Sequence, residues 1–490
     1  MFTFSGFCQY FNNRYEFEGN PDGALSVLES NGKYIAAGSM RDSANNKAIA
    51  IIQLDQNGNE QIIKKYYPFD NHFLFAGSNK ALINNITGGY TMTGSVWDTT
   101  GNVNVYLLFF DVFLDTTRFS EIDLGLNETA FQCKQTLDSG YIIVGNQESS
   151  GNYDVLLIKT DSVGSLEWFQ TYGGIGAELG FSVDITSDKG YIIGAYTNSM
   201  GNGDYDSYVL KVDSLGSVQW EKTFGTSEFE GSTYVKELSD SNFIVATAIE
   251  KYQIGSYAQH KIRLLKLDTA GYVIWDREFG TARYGAGCAD VIELESGDLI
   301  VAGQTTDPTG SSPIGNGFPE GVILKVNSDG DSLWWRKVEY FSTENAQNYL
   351  RAITPTSDGG FVGAGFIMPG TGDTGTQDMW VFKLDSCGCL ESLCDSVCAG
   401  VTGINNLKLE KGDFKIYPNP ATNGFNIQLS SIESNTSIVL YNQLGIKTKE
   451  VTTTEEITIV DVSNLSTGIY FVQVTNGVSV IGSRKIVIQR

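Results

Sequence analysis

A unit of about 50–60 residues recurs seven times over the first four-fifths of the chain, and it is built from strands alone. A period of that length and composition restricts the fold to radial sheets around an axis. The first half of each unit is a small or polar turn followed by an aromatic or apolar strand. It reads Gly32-Lys33-Tyr34, Gly89-Tyr90, Gly140-Tyr141, Gly190-Tyr191, Asn242-Phe243, Asp298-Leu299 and Gly360-Phe361 along the chain. The second half is strand, turn and strand: Lys159, Asp161, Gly164 and Trp168. That spacing returns as Lys211, Asp213, Gly216 and Trp220, as Lys266, Asp268, Gly271 and Trp275, and as Lys325, Asn327, Gly330 and Trp334. Asp opens such a turn by bonding its own backbone, and Gly supplies the positive φ three residues later. The Trp is a large apolar wedge suited to packing between neighbouring sheets. Continuous runs such as Val155-Leu156-Leu157-Ile158 fit strands covered on both faces.

These features predict an all-β chain: a seven-bladed β-propeller over residues 9–386, followed by a small Ig-like β-sandwich. The seventh unit stops at Leu384-Asp385 without its fourth strand. Residues 9–18 stand where a fourth strand precedes the later units, so the N-terminal strand is expected to pair with the strand ending at Asp385 and close the ring.

Glycine is abundant at 55 and proline scarce at 9, as many short strands joined by tight turns require. No run reaches the about 18 apolar residues of a membrane-spanning helix. Net charge is −24, and it lies before residue 405, because the last 86 residues carry eight basic against seven acidic side chains. Such a surface repels phosphate backbones, which argues against nucleic acid as a partner. Residues 1–8 read as the remnant of a secretory signal peptide, with Gly6 and Cys8 as the small residues before cleavage.

Seven cysteines are present, four of them at Cys387, Cys389, Cys394 and Cys398 within a connector spanning 387–412. A zinc site is a loose match to that spacing. Disulfides in an exported chain are the preferred reading. Oxygen-rich turns such as Asp55–Glu60 lack the order of a calcium-binding EF-hand loop and read as turn chemistry. His72 and His260 are the only histidines, and neither has a catalytic partner at a recognisable spacing. No cofactor and no catalytic residue is assigned, and the chain is expected not to be an enzyme.

Past residue 412 the repeat vanishes. Phe414-Lys415-Ile416-Tyr417-Pro418-Asn419-Pro420-Ala421, Leu440-Tyr441-Asn442-Gln443-Leu444-Gly445, Leu465-Ser466-Thr467-Gly468-Ile469-Tyr470 and Arg484-Lys485-Ile486-Val487 follow in order. Residues 413–490 thereby resemble the type A C-terminal sorting domain of the bacterial type IX secretion system. The resemblance implies export to the cell surface or the medium, with the secretion machinery and its sortase as partners. Carried over by it are Tyr417, Pro418, Asn419, Pro420, Gly445, Gly468, Tyr470 and Lys485. The repeats are similar, more loosely, to propeller repeats of exported Bacteroidetes proteins. Together these readings predict a secreted binding or adhesion module whose extracellular ligand is a polysaccharide or a protein. The alternatives are a propeller hydrolase or lyase acting on glycans, and a structural surface component.

Overall fold

The computed structural model describes residues 10–17, 22–42, 47–67, 73–77, 80–97, 100–254, 257–284, 286–306, 318–343, 345–390, 414–429, 436–441, 447–475 and 480–489. All regular elements among them are strands. They form two units, Met1–Cys394 and Asp395–Arg490.

The first unit is propeller-like. It holds seven antiparallel sheets, six of four strands and one of five. Chain order and spatial order agree within most sheets. Sheet three runs Asn127–Gln135, Tyr141–Ser149, Asn152–Thr160 and Leu166–Tyr172, from inner to outer strand. Sheet two has a divided inner edge, Phe73–Ala76 and Leu82–Asn84, both paired with Tyr90–Trp97. Sheet seven takes its fourth strand from the other end of the chain. Phe11–Tyr15 pairs antiparallel with Asp378–Leu384, Phe11 opposite Lys383 and Tyr15 opposite Met379. The fully buried Trp380 donates its ring N–H to Asn12 Oδ1 at 2.6 Å.

Each neighbouring pair of sheets shares one apolar core. Val144 and Leu157 of sheet three meet Ile193 and Leu210 of sheet four, and Ile192 and Val209 of sheet four meet Val245 and Leu265 of sheet five. The last pair closes the ring: Val362, Ala364 and Val381 of sheet seven meet Ala36, Ala50 and Ile52 of sheet one. Third strands such as Val103–Phe110 and Asp206–Val212 are buried at every position because they lie between two such cores.

The outer hairpins turn as their sequence dictates. Asp161 Oδ1 accepts the N–H groups of Val163 and Ser165 at 2.9 and 2.8 Å, and Gly164 takes φ 83°. The same turn is built at the end of sheet seven. Asp385 Oδ1 accepts from Cys387 and Cys389, both at 2.8 Å, and Gly388 takes φ 74°. A Cβ at Gly388 would come within 2.7 Å of the Trp334 ring. Cys387 and Cys389 therefore belong to the sheet unit, and not to a connector beginning at 387. Cys394 and Cys398 lie outside the described residues.

The second unit holds a three-stranded sheet of Phe414–Tyr417, Gly424–Leu429 and Ile457–Asp461. Its four-stranded sheet has Lys447–Thr453 at one edge, then Thr436–Tyr441, Gly468–Thr475 and Val480–Ile488. Phe425 and Ile427 of the first meet Ile438, Leu440 and Val472 of the second in one core.

Candidate functional sites

Two sets of polar contacts lock the sheets of the first unit at their opposite ends. At the end carrying the inner hairpin turns, a lysine of the third strand, buried in all but the half-buried Lys325, holds an Asp of the turn. Lys159–Asp138, Lys211–Asp188, Lys325–Asp298 and Lys383–Asp358 stand at 2.8–3.0 Å, and Lys266–Asp240 at 2.7 Å. The turn serines then clasp the next sheet. Ser187 gives its N–H and hydroxyl to Glu237 at 2.6 and 2.8 Å, and Ser239 binds Glu293 through both groups at 2.8 Å. Ser357 of sheet seven binds Glu29 of sheet one at 2.6 and 2.8 Å, so the seam is clasped in the same way as those two joints.

At the other end, the inner strands open on a buried acid or amide that gathers the loop arriving from the preceding sheet. Glu178 accepts the N–H of Gly174 at 2.7 Å and the hydroxyl of Thr197 at 2.5 Å. Glu230 accepts from Thr226 N–H at 3.2 Å and its hydroxyl at 3.1 Å. Asn348 Oδ1 takes the N–H groups of Tyr340 and Phe341 at 2.8 and 3.1 Å. Asp22 does the same work at the seam, accepting from Phe17 at 3.0 Å and Met379 at 2.6 Å. Beside it Arg14 pairs with Asp378 at 2.5 Å. Burial pushes the Asp22 carboxyl up to about 8, against the two N–H donors. Burial also raises Glu230 to about 7, with its neighbour Asp206 adding to the rise. These carboxyls are committed to holding loops, so their shifted titration is a structural property and none is assigned a catalytic role.

Three residues beyond the opening acid, the inner strands of sheets three and four carry a β-bulge, and the bulged residues are Phe131 and Phe181. A bulge re-aims a side chain out of the pleat. The two rings stand 5.8 Å apart across adjacent sheets. Phe181 continues to Tyr196 at 4.9 Å, Tyr196 to Tyr205 at 4.7 Å, Tyr205 to Phe229 at 5.9 Å and Phe229 to His260 at 6.0 Å. All six side chains are half-buried. They form an aromatic band on the same end as the loop-gathering carboxyls. Sequence reasoning left this band unread, although Glu-x-x-Phe recurs at 128–131 and 178–181.

In the second unit, Tyr417 ends its strand and is 41% exposed. The Pro418–Pro420 segment is laced to the last strand. Asn419 donates to Lys485 O at 3.0 Å and accepts from Val487 N–H at 2.9 Å, and Ala421 N–H reaches Val487 O at 2.8 Å. Lys485 is exposed on that strand. Its neighbour Arg484 donates to Phe414 O at 2.7 Å and stacks over the Phe414 ring. Tyr470 is buried, its hydroxyl bonded to Ser466 O at 3.0 Å, and Gly468 opens the same strand. Tyr417, Pro418, Asn419, Pro420 and Lys485 thus meet at one edge, and Gly468 and Tyr470 lie in the core-forming strand beside it. Gly445 lies outside the described residues.

Residues 415–489 match the family model of the secretion system C-terminal sorting domain. A search of curated proteins returned no match. Solved structures similar in fold include a protein of unknown function from Dyadobacter fermentans, at 10% identity and TM-score 0.44, covering 76% of this chain and 96% of that one. Sqt1 from Chaetomium thermophilum is 12% identical with TM-score 0.42, over 75% of this chain and 87% of its own. An α-L-arabinofuranosidase from Fusarium graminearum, in complex with an iminosugar inhibitor, is 11% identical with TM-score 0.40, over 76% and 97%. The expectation that the chain is not an enzyme is corrected here, because glycoside hydrolases stand among these similar structures. Likeness of this degree concerns the fold and assigns no reaction. The tail match is of another kind, since family model, motif order and strand pairing coincide on the same residues: the chain carries a type IX C-terminal sorting domain at residues 415–489, behind a larger all-β unit, and is an exported protein of the cell surface or medium.

Proposed function

We propose that the chain is an exported glycan-acting protein: a seven-bladed propeller that engages a saccharide on its aromatic band, delivered by an Ig-like sorting sandwich. The observation that carries the reading is the run of Phe131, Phe181, Tyr196, Tyr205 and Phe229, five half-buried rings contributed by three neighbouring sheets. Rings needed only for the core would be covered, as Tyr106, Tyr141 and Tyr208 are. Pyranose faces are apolar and their hydroxyls polar, so a partly open aromatic platform beside hydrogen-bonding loops suits them. Loops at one end of a rigid scaffold are the usual place for such contacts. Export places the protein where polysaccharides are available.

The test is a glycan array on the full chain, followed by calorimetry and a reducing-end assay on every hit. Tyr205→Ala is expected to weaken saccharide binding by about tenfold, the scale of one lost aromatic contact. New reducing ends would add hydrolysis to binding. Retained affinity in Tyr205→Ala, or an array without hits, would remove the aromatic band from consideration.

A further inference from the structure

Between the inner strands lies a cavity of about 230 Å³ lined by Lys80, Lys134, Lys236, Asp290, Tyr234 and Ser182. It gathers cations from sheets two, three and five in a unit whose net charge is strongly negative. Lys80 pairs with Asp290 at 2.5 Å, and Lys134 pairs with Asp184, which also faces Lys236 at 3.7 Å. Three ammonium groups therefore share two carboxylates. Burial, together with Lys134 and Lys80, lowers the Lys236 ammonium below its ordinary value, as crowded cations do.

Arg351, which is not a lining residue but acts electrostatically on the lining Tyr234, brings a fourth cation near the cavity. It is the bulged residue of the inner strand of sheet seven. Its guanidinium lies 5.2 Å from the ring centres of both Tyr349 and Phe366, and Tyr234 is among the groups that act on it electrostatically. Its Nε is buried without a hydrogen-bond partner, and among the described residues no carboxylate pairs with it. The two rings stack on each other at 4.6 Å, and a guanidinium resting against that pair with an unused donor is suited to a planar carboxylate.

We propose that this cavity binds the carboxylate of an acidic sugar, so that the saccharide engaged by the aromatic band is a uronic-acid polymer. The geometry supports the two contacts together, because Phe131 directly precedes Gln132, and Phe181 directly precedes Ser182, on strands that run from the band into the cavity wall. Around the cavity stand Lys80, Lys134 and Lys236, with Arg351 beside the lining Tyr234, against Asp184, Asp290 and Glu293, a surplus of one positive charge. The proposal rests on the glycan-acting reading and narrows it to a substrate class.

Titration calorimetry of the full chain would compare an oligogalacturonate with its methyl ester, and with sodium acetate as the bare anion. The acid is expected to bind at least about tenfold more tightly than the ester, the worth of one charge-assisted hydrogen bond. That preference should shrink with added salt and vanish in Arg351→Gln, while binding of the ester persists. Salt dependence on the unaltered chain keeps the test decisive if Arg351→Gln misfolds. Equal affinity for acid and ester would overturn the anionic subsite and leave the glycan reading standing. Acetate binding that Arg351→Gln abolishes, without binding of either sugar, would keep the anion site and overturn the uronic-acid assignment, the glycan reading being decided by the array. Absence of all three bindings overturns the anionic subsite, whatever the array returns.

Discussion

Asp22 shows how one buried carboxyl makes the ring answer to pH. It and Glu230 titrate near 8 and 7 in the folded chain, against about 4 when unfolded. A folded value above the unfolded one means that their contribution is full below about pH 4 and is lost as pH rises through 7 and 8. Asp138 and Asp188 run the other way. Burial opposes their ionisation, but Thr and Lys donors hold both down to about 2, so their contribution is present above about pH 4 and fades on acidification. Those two carboxylates are about half exposed, and solvent screening limits each pair to under ~1 kcal/mol. The fall on the alkaline side should therefore be the larger one. Melting temperature is expected to drop between pH 5.5 and 9, and Asp22→Asn should flatten that drop while costing about 1–3 kcal/mol at pH 5.5 through its weaker acceptor. An Asp22→Asn profile parallel to the parent curve would show that Asp22 is ionised throughout and that self-repulsion of the acidic surface sets the slope.

At the scale of the element, the strand Phe11–Tyr15 carries the seam. Phe11, Tyr15 and Phe17 are buried there, each side chain contributing about 2 kcal/mol by burial, and Trp380 would lose its Asn12 partner. Removing residues 1–17 is expected to lower the melting temperature by more than ~10 °C, because sheet seven keeps three strands and exposes an unpaired edge. Glu29→Ala should cost less, about 1–2 kcal/mol, since it opens only the Ser357 clasp. A truncated chain that melts with the intact one would place the seam elsewhere. This strand was legible in the sequence because one unit lacks a strand that the opposite terminus can supply. The Asp-x-x-Gly turns and the Trp wedges were legible too, since turn chemistry is local. The turn at Asp385–Gly388 follows the same spacing, yet its two cysteines drew it into a connector. The Ser–Glu clasps, the Asp–Lys bridges and the bulged aromatics were not legible. Each joins residues of different strands or different repeats, and bulge position is decided by pairing register, which a linear pattern does not contain. Pro418-Asn419-Pro420 could be recognised by its motif, but its lacing to Lys485 and Val487 could be seen only once the last strand was in place.

For the whole molecule, the two units divide the labour. The sheet ring carries the aromatic band and the cationic cavity, and the tail carries the address. Each unit has its own closed core, so the tail can be removed without opening the ring. The most direct measurement is the location of a chain truncated after residue 404, expressed beside the full chain in a host with type IX export. The full chain should be found on the cell surface or in the medium. The truncated chain should fold, melt with the intact sheet unit and remain in the periplasm. Arrival of the truncated chain at the surface in the amount seen for the full chain would contradict the assignment of residues 415–489 as the export address.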